Sequence, residues 1–299
     1  MASAALVRSD SVKLSLISAC KLPNLSGEVD YTDGETLPRD VAVMHDDAIA
    51  VIDPWCRRIS VFEKLSEPIK HYKLMYNFGG QGHAEKFEVS CPIGIEAQQN
   101  AVLVADADMV SLIVFGRAGS PLDQIRFNQP PQCISKRGGK IYVGFTDVIK
   151  CYKMHQDDAK MSMEEINGTN FNIIPTYIDA NENSDVAITD GNRIYLFCNF
   201  DSMPYMTPTF CEWSNVQGLC FVSNDKLLVA NHEENTVSLI HLTDTAPREL
   251  DIKHKITILS EDDGIINPRA VNVDNSGDVI ITQWDGSIKL FEKEIIPLN

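Results

Sequence analysis

Two short segments combine tryptophan, arginine and carboxylate or amide side chains, a composition that suits contact with another protein. The first is Asp53-Pro-Trp55-Cys-Arg57, and the second is Gln283-Trp284-Asp285. Tryptophan and arginine are enriched at binding hot spots, because they bury a large area and make several bonds. With the arginines that precede each segment, the predicted partner-binding residues are Arg39, Asp53, Trp55, Arg57, Arg269, Gln283, Trp284 and Asp285.

Another group of residues offers the oxygen and imidazole ligands that metal ions use. The residues that could serve in this way are Asp106, Asp108, Asp190, Asn231, His232, Glu233, Glu234 and Asp285. No fixed spacing among them requires a metal, and polar residues of tight turns give the same pattern. Ser/His/Asp or Cys/His arrangements assemble only in space, so none can be identified from spacing. We therefore assign no metal, no cofactor and no catalytic residue from the sequence.

Composition narrows the classes of partner. The chain has 299 residues, with 26 Lys and Arg against 42 Asp and Glu, which gives a formal net charge of −16. Such an acidic chain repels phosphate backbones, so RNA is a disfavoured partner. The sequence has neither a long apolar membrane span nor a signal peptide, and its eight cysteines form no C-x-x-C pair. We expect a cytoplasmic protein with no membrane partner.

The elements that must position these residues form an internal repeat. Each copy has a Pro or Gly turn, an apolar strand, a polar turn, a second apolar strand, a short polar turn and a third strand. Val, Ile, Tyr and Phe are frequent in the strands, and Gly, Asn and Asp are frequent in the turns. The third strands of the six copies end near Phe62, Phe115, Tyr152, Phe197, Ile240 and Phe291.

A fourth apolar segment lies between copies, such as IKHYKLMYNF after Phe62 and LDQIRF after Phe115. Each copy with this segment predicts a four-stranded propeller blade. After the sixth copy only EKEIIPLN follows, which leaves no room for a fourth strand. Residues 12–19, VKLSLISA, alternate as a strand does, and we predict that they complete the last blade. Closing the ring in this way removes an open sheet edge.

The predicted fold is therefore all-β: a six-bladed β-propeller of four-stranded blades, with the ring closed by an N-terminal strand. We assign residues 1–299 to this single domain. The blades are centred on about 36–78, 90–127, 129–172, 174–212, 214–258 and 266–292, and the closing strand is 12–19. One short helix is expected around Asp157–Glu165.

The copies resemble the NHL repeat, and Phe78–Phe115 carries its motifs. These are Phe-Gly-x-x-Gly at Phe78–Gly82, Pro-x-Gly-Ile at Pro92–Ile95, Val-Ala-Asp at Val104–Asp106 and a final Val-Phe. The chain as a whole is similar to the C-terminal NHL propeller of tripartite-motif (TRIM) ubiquitin-ligase proteins. The resemblance implies a non-catalytic platform that binds protein substrates or other partners, within a larger TRIM-type assembly.

The resemblance leaves two alternatives open. Several NHL propellers bind RNA through a strongly basic face, whereas this chain is acidic overall. Calcium-dependent propeller lactonases have the same architecture, and their chemistry needs several ligands that converge on the central channel. The RING and B-box zinc modules of TRIM proteins have no counterpart in this sequence, so we expect it not to be an enzyme.

Ring closure would make the first and sixth blades neighbours. The two tryptophan segments would then converge on the face formed by loops that enter the innermost strands or join the second and third strands. In the alternative, Trp55 and Trp284 pack between blades and the arginines pair with adjacent aspartates. A basic run, Lys136, Arg137 and Lys140, is expected on the opposite face.

Overall fold

The computed structural model describes residues 13–21, 37–67, 69–80, 88–157, 160–200, 209–243 and 249–294. These residues form six four-stranded antiparallel sheets, which confirms the six-bladed propeller. In blade order, the strands are β2–β5 (Asp40–Val43, Ile49–Asp53, Arg58–Leu65, His71–Phe78), β6–β9 (Pro92–Gln98, Ala101–Asp106, Ser111–Gly116, Pro121–Arg126), β10–β13 (Cys133–Arg137, Lys140–Gly144, Val148–Asp157, Lys160–Asn170), β14–β17 (Tyr177–Ala180, Val186–Thr189, Arg193–Phe197, Thr209–Glu212), β18–β21 (Val216–Ser223, Lys226–Asn231, Thr236–Leu242, Leu250–Leu259), and β22–β24 (Pro268–Val273, Val279–Gln283, Ser287–Glu294) with β1 (Lys13–Lys21).

The middle strands of the blades are continuous apolar runs because neighbouring blades cover both of their faces. In β3 and β8 every residue is buried, whereas the outer strand β5 is only partly covered. Six apolar clusters lie between successive blades around the ring. The residues that end the third strand of each sequence copy are buried in or beside these clusters: Phe62, Phe115, Tyr152, Phe197, Ile240 and Phe291.

The N-terminal strand closes the ring as the sequence predicts. β1 pairs antiparallel with β24, from Lys13 opposite Glu294 to Lys21 opposite Ser287. The outermost strand of blade six therefore comes from the start of the chain. This pairing joins the two ends of the chain within one sheet.

A buried ion-pair network also joins blade six to blade one. Lys64 Nζ lies 2.5 Å from a carboxylate oxygen of Asp274 and 2.9 Å from one of Asp278. The Lys64 side chain is only 6% exposed, and both aspartates are buried. Tyr72 Oη donates to Asp274 at 3.4 Å, and Lys70 lies 3.4 Å from Asp278 at the edge of the network. The network stabilises the interface between blades one and six that ring closure creates, here called the seam.

The helix predicted around Asp157–Glu165 is wrong. The chain forms the antiparallel pair β12–β13 there, with residues 158–159 outside the described part. Met161 is buried and Met163 packs against the same cluster, two residues apart, which is the spacing of a strand rather than a helix. The part of the NHL-like motif at residues 81–87 also lies outside the described residues.

No helix among those described is long and apolar enough to cross a membrane.

Replacing Lys64 by methionine tests the seam. The variant leaves Asp274 and Asp278 buried without their main cation, a change that typically destabilises by about 3–5 kcal/mol. We expect Lys64→Met to lower the free energy of unfolding in urea by about 3 kcal/mol. Lys70 is 33% exposed, so the control Lys70→Met should lower it by about 1 kcal/mol or less. Equal losses in the two variants would contradict a buried seam.

Candidate functional site

The face predicted to bind partners, here called the upper face, exposes both tryptophans. Trp55, in the loop between β3 and β4, is 60% exposed, and Trp284, in the loop between β23 and β24, is 46% exposed. Arg57 is also exposed, and its φ of 52° turns the chain back into β4. The alternative in which both rings pack between blades is therefore wrong. The lower face lies at the opposite end of the strands.

Trp284 is held by its neighbours in blades five and six. The Arg269 guanidinium lies over its ring, 4.6 Å from the ring centroid. The His232 ring meets it edge-on, at 5.6 Å and 71°. Burial lowers the pKa of His232, so its ring is mostly neutral near pH 7. The sequence suggests His232 only as a metal ligand, because its role beside Trp284 depends on contact between two blades.

Arg39 and Arg269 precede or begin the inner strands of adjacent blades. Arg39 Nε donates to the carbonyl of Ile93 in blade two at 2.9 Å, which spans the joint between blades one and two. Burial lowers the pKa of Arg269 to about 10, and the positive charge of Arg39 acts in the same direction. Within the described part of the chain, neither arginine forms an ion pair with a carboxylate. Arg269 therefore lies against Trp284, whereas the convergence of Arg39 and Arg57 with Trp55 stays a prediction. Neither Arg39 nor Arg269 pairs with an adjacent aspartate among the described residues.

Asp53 and Gln283 lie below the surface and do not face a partner. Asp53 Oδ1 accepts from the Cys56 amide at 3.0 Å, and its Oδ2 lies 3.6 Å from Arg58. Gln283 Oε1 accepts from the Ile266 amide at 2.7 Å, while its Nε2 donates to Ser287 Oγ at 2.6 Å. Both residues end the second strand of a blade, and their side chains turn inward to hold the upper loops. Asp285 is exposed, and its Oδ1 accepts from the Ser287 amide at 3.0 Å.

The residues considered as metal ligands stabilise turns in the same way. Asp106 accepts from the amides of Ser90 at 2.6 Å and Met109 at 2.9 Å. Asn231 Oδ1 accepts from the amides of Glu233 and Glu234, and Asp190 accepts from Tyr195 Oη at 2.9 Å. Among the described residues, no three His, Cys, Asp or Glu side chains lie close enough to hold a metal ion. The geometry therefore favours the turn interpretation of these positions.

The upper face carries more exposed apolar side chains than the sequence analysis identified. Met109, Ile174 and Ile266 lie in loops of blades two, four and six, and each is at least 39% exposed. A large apolar residue in a polar turn is the sequence signal that could have found them. With the tryptophans they give the upper face five exposed large apolar side chains among the described residues.

The acidic lining of the central channel is a second feature that the sequence did not reveal. A cavity of about 200 Å³ is lined by inner strands of all six blades, and three carboxyl groups, those of Asp40, Glu96 and Asp179, face it. Tyr177 Oη donates to Asp40, and Ser135 Oγ donates to Asp179 at 2.8 Å. Each carboxyl is a single acid within an apolar inner strand, and that pattern was the available signal. Lys136 and Arg137 of the basic run also line this cavity, towards the lower face.

Enclosure in the ring shifts the protonation of these acids. Burial raises the pKa of Asp40 to about 6, although bonds from Tyr177 and the Ile95 amide oppose the shift. Burial and the nearby charges of Asp179 and Asp40 raise the pKa of Glu96 to about 8, against the Lys136 amide bond and charge. Burial also raises the pKa of Asp179, and Arg137 opposes it. Of the three acids, Glu96 therefore holds its proton near pH 7.

Comparison with known proteins supports the fold. The WD40 β-propeller domain of Doa1 matches at 12% identity with a TM-score of 0.58, over 95% of this chain and 98% of that one. The Pan2 WD40 domain of Neurospora crassa matches at 11% identity with a TM-score of 0.59, over 97% and 98%. At such identities the likeness is one of fold alone. No family model and no curated protein matches the sequence, so the NHL resemblance stays a prediction.

The raised pKa of Glu96 predicts a pH-dependent stability. The carboxyl ionises near pH 4.5 when unfolded and near pH 8 when folded, so its contribution is full below about pH 4.5 and is lost as pH rises through about 8. Glu96→Gln keeps an acceptor for the Lys136 amide and cannot ionise. Its melting temperature should exceed that of the wild type by a margin that grows between about pH 5 and about pH 8.

Glu67, an exposed carboxylate in the loop between β4 and β5, provides the control for this measurement. Glu67→Gln removes a surface carboxylate, and its thermal melts should run parallel to those of the wild type over the same pH range. A Glu96→Gln margin that is constant with pH would show that the channel does not hold this proton.

Proposed function

We propose that this chain is a non-catalytic protein-interaction platform that binds a partner segment on its upper face. The binding surface is the tryptophan sector, which we define as Arg39, Trp55, Arg57, Arg269 and Trp284. The observation that carries the proposal is the exposure of two tryptophans on adjacent blades, beside arginines that have no carboxylate partner among the described residues.

The exposure of these two rings is specific to this sector. Trp213 also lies in an upper-face loop, directly after β17, yet it is only 8% exposed. Lys255 covers it, with Nζ 4.5 Å from the centroid of the indole ring. A tryptophan on this face can therefore be covered by the fold, and Trp55 and Trp284 are not. Exposed apolar patches rimmed by polar groups are typical of interaction sites.

The loops of the sector are rigid enough to present these side chains in one geometry. The buried Asp53 holds the Trp55 loop, and the Trp284 amide donates to the Asn267 carbonyl at 3.1 Å. Asn267 in turn donates to the His232 carbonyl at 3.2 Å. A surface that is ordered before binding loses less conformational entropy when a partner docks.

The NHL-like motifs at Pro92–Ile95 and Val104–Asp106 support a finer form of the proposal. In that form the propeller recruits substrates for a TRIM-type ubiquitin-ligase assembly in the cytoplasm, and the catalytic RING module is separate from it. None of the eight cysteines is joined in a disulfide, which agrees with a reducing compartment. The net charge of −16 favours a protein partner over RNA.

Affinity capture from lysate, with and without RNase, tests the proposed function. Truncating a hot-spot tryptophan typically costs about 2 kcal/mol or more, which corresponds to about 30-fold in affinity. We expect protein partners that survive RNase to be retained by the wild type and lost by Trp55→Ala/Trp284→Ala.

Phe210→Ala is the matched control, because Phe210 is a 56% exposed aromatic residue on the outer strand β17. It should retain the same partners as the wild type. Capture that depends on intact RNA would overturn the proposal. Partners that bind the double variant as well as the wild type would place the binding surface elsewhere.

A further inference from the structure

Arg39 and Arg269 are two positive charges at the inner rim of the upper face, and neither forms an ion pair with a carboxylate of the described residues. They stand just before and within the inner strands β2 and β22, whose blades are neighbours across the closed ring. Each is half-buried, and the charge of Arg39 contributes to the lowered pKa of Arg269. Two arginines that disfavour each other's charge are stabilised by an anion between them.

The hydrogen-bonding edges of both guanidinium groups are available. Among the described residues, the only side-chain bond of Arg39 uses Nε, towards Ile93. Arg269 uses the face of its guanidinium, which lies on the Trp284 ring at 4.6 Å. A stacked guanidinium keeps its N–H groups in the plane of the group, where they can bind a carboxylate with two hydrogen bonds.

The carboxylate that acts on Arg269 cannot serve as its partner. Asp53 attracts Arg269 over a distance but is fully buried. Its two oxygens face the Cys56 amide, at 3.0 Å, and Arg58, at 3.6 Å. Asp40, whose charge interacts with that of Arg39, accepts hydrogen bonds from Tyr177 and the Ile95 amide. Among the described residues, neither Asp40 nor Asp53 forms an ion pair with Arg39 or Arg269.

We infer that Arg39 and Arg269 bind the carboxylate of an aspartate or glutamate in a partner peptide, with an adjacent apolar side chain of that peptide against Trp284 and Trp55. The inference rests on the proposed function and specifies the partner's chemistry. The guanidinium edges hold the carboxylate, and the indole rings cover the apolar neighbour. Partial burial makes such a pair stronger and less sensitive to salt than a surface ion pair.

A single carboxylate fits this surface better than a polyanion does. The exposed Asp108 and Asp285 lie in upper loops of blades two and six, and the whole chain carries −16. Repeated phosphates would meet these charges, whereas one acid beside an apolar residue meets only the arginine pair and the rings. RNA and phosphorylated peptides are thus the competing ligands that the test must exclude.

An array of short peptides tests the inference with defined probes. Each peptide has a Gly/Ala host, an acetylated N-terminus and an amidated C-terminus, and two central positions carry every pair of residue types, with phosphoserine included. We expect the wild-type protein to bind best to peptides that pair Asp or Glu with an aromatic or aliphatic residue. In solution, replacing that acid by Asn or Gln should weaken binding by about tenfold or more.

Protein variants assign the effect to the arginine pair. Arg39→Gln and Arg269→Gln should each lower the affinity for the acidic peptide by about tenfold. Neither variant should change the affinity for the peptide whose acid is replaced by Gln. Arg269→Lys should also lose affinity, because lysine keeps the charge and lacks the planar fork. Arg117→Gln is the matched control, since Arg117 pairs with Asp46 on the lower face.

Three outcomes would overturn the inference. In the first, acidic peptides bind no better than their amide counterparts on the array. In the second, the protein prefers phosphoserine to Asp and Glu. In the third, Arg269→Gln and the wild type bind the acidic peptide with equal affinity. In any of these cases, if peptide binding is still lost in Trp55→Ala/Trp284→Ala, the proposed function stands without this specificity. If it survives that double variant, the proposed function fails as well.

Discussion

The structure depends on one constraint: the last blade must be completed by the first strand. β1 contributes the outer strand of blade six, and Lys64 of blade one is buried against Asp274 and Asp278 of blade six. Without closure, two sheet edges and two apolar blade faces would be open to solvent. With it, the loops of blades one and six become neighbours, and Arg39 and Arg269 act on each other across the upper face. The candidate binding sector is therefore a product of ring closure.

The same kind of hydrogen bond, made by a buried side chain at the end of the second strand, holds the upper loops in several blades. The residue that ends the second strand is buried and bonds a backbone amide or hydroxyl of the loops: Asp53, Asp106, Asn231 and Gln283. The side chain differs from blade to blade, but the role is the same. Because these loops are fixed, the residues one to three positions further along can differ between blades. Trp55, Met109, His232 and Trp284 occupy those positions and give each blade a different surface.

The sequence was sufficient to predict the strands, which depend on local residue pattern, and the closure of the ring, which follows from the number of strands. Apolar runs bounded by Gly, Asn and Asp turns predict strands, and a missing strand at one end of the chain implied closure by the other. The helix at Asp157–Glu165 failed because the polar composition hid the two-residue alternation of Met161 and Met163. Asp53 and Gln283 were placed on the surface because their position in sequence does not show that a strand end turns its side chain inward. The channel acids were missed because only the assembled ring brings Asp40, Glu96 and Asp179 around one cavity.

Amide hydrogen exchange of the intact chain tests the central claim most directly. If residues 13–21 complete blade six, those of their amides that face β24 should be protected well above the level of an open loop, because the two strands share one ladder of hydrogen bonds. β1 is the outer strand of the sheet, so its alternate amides face away from that ladder. Exchange of residues 13–21 at the rate of an open loop, with 287–294 still protected, would contradict ring closure. The adjacency of the two tryptophan segments would then lose its physical basis.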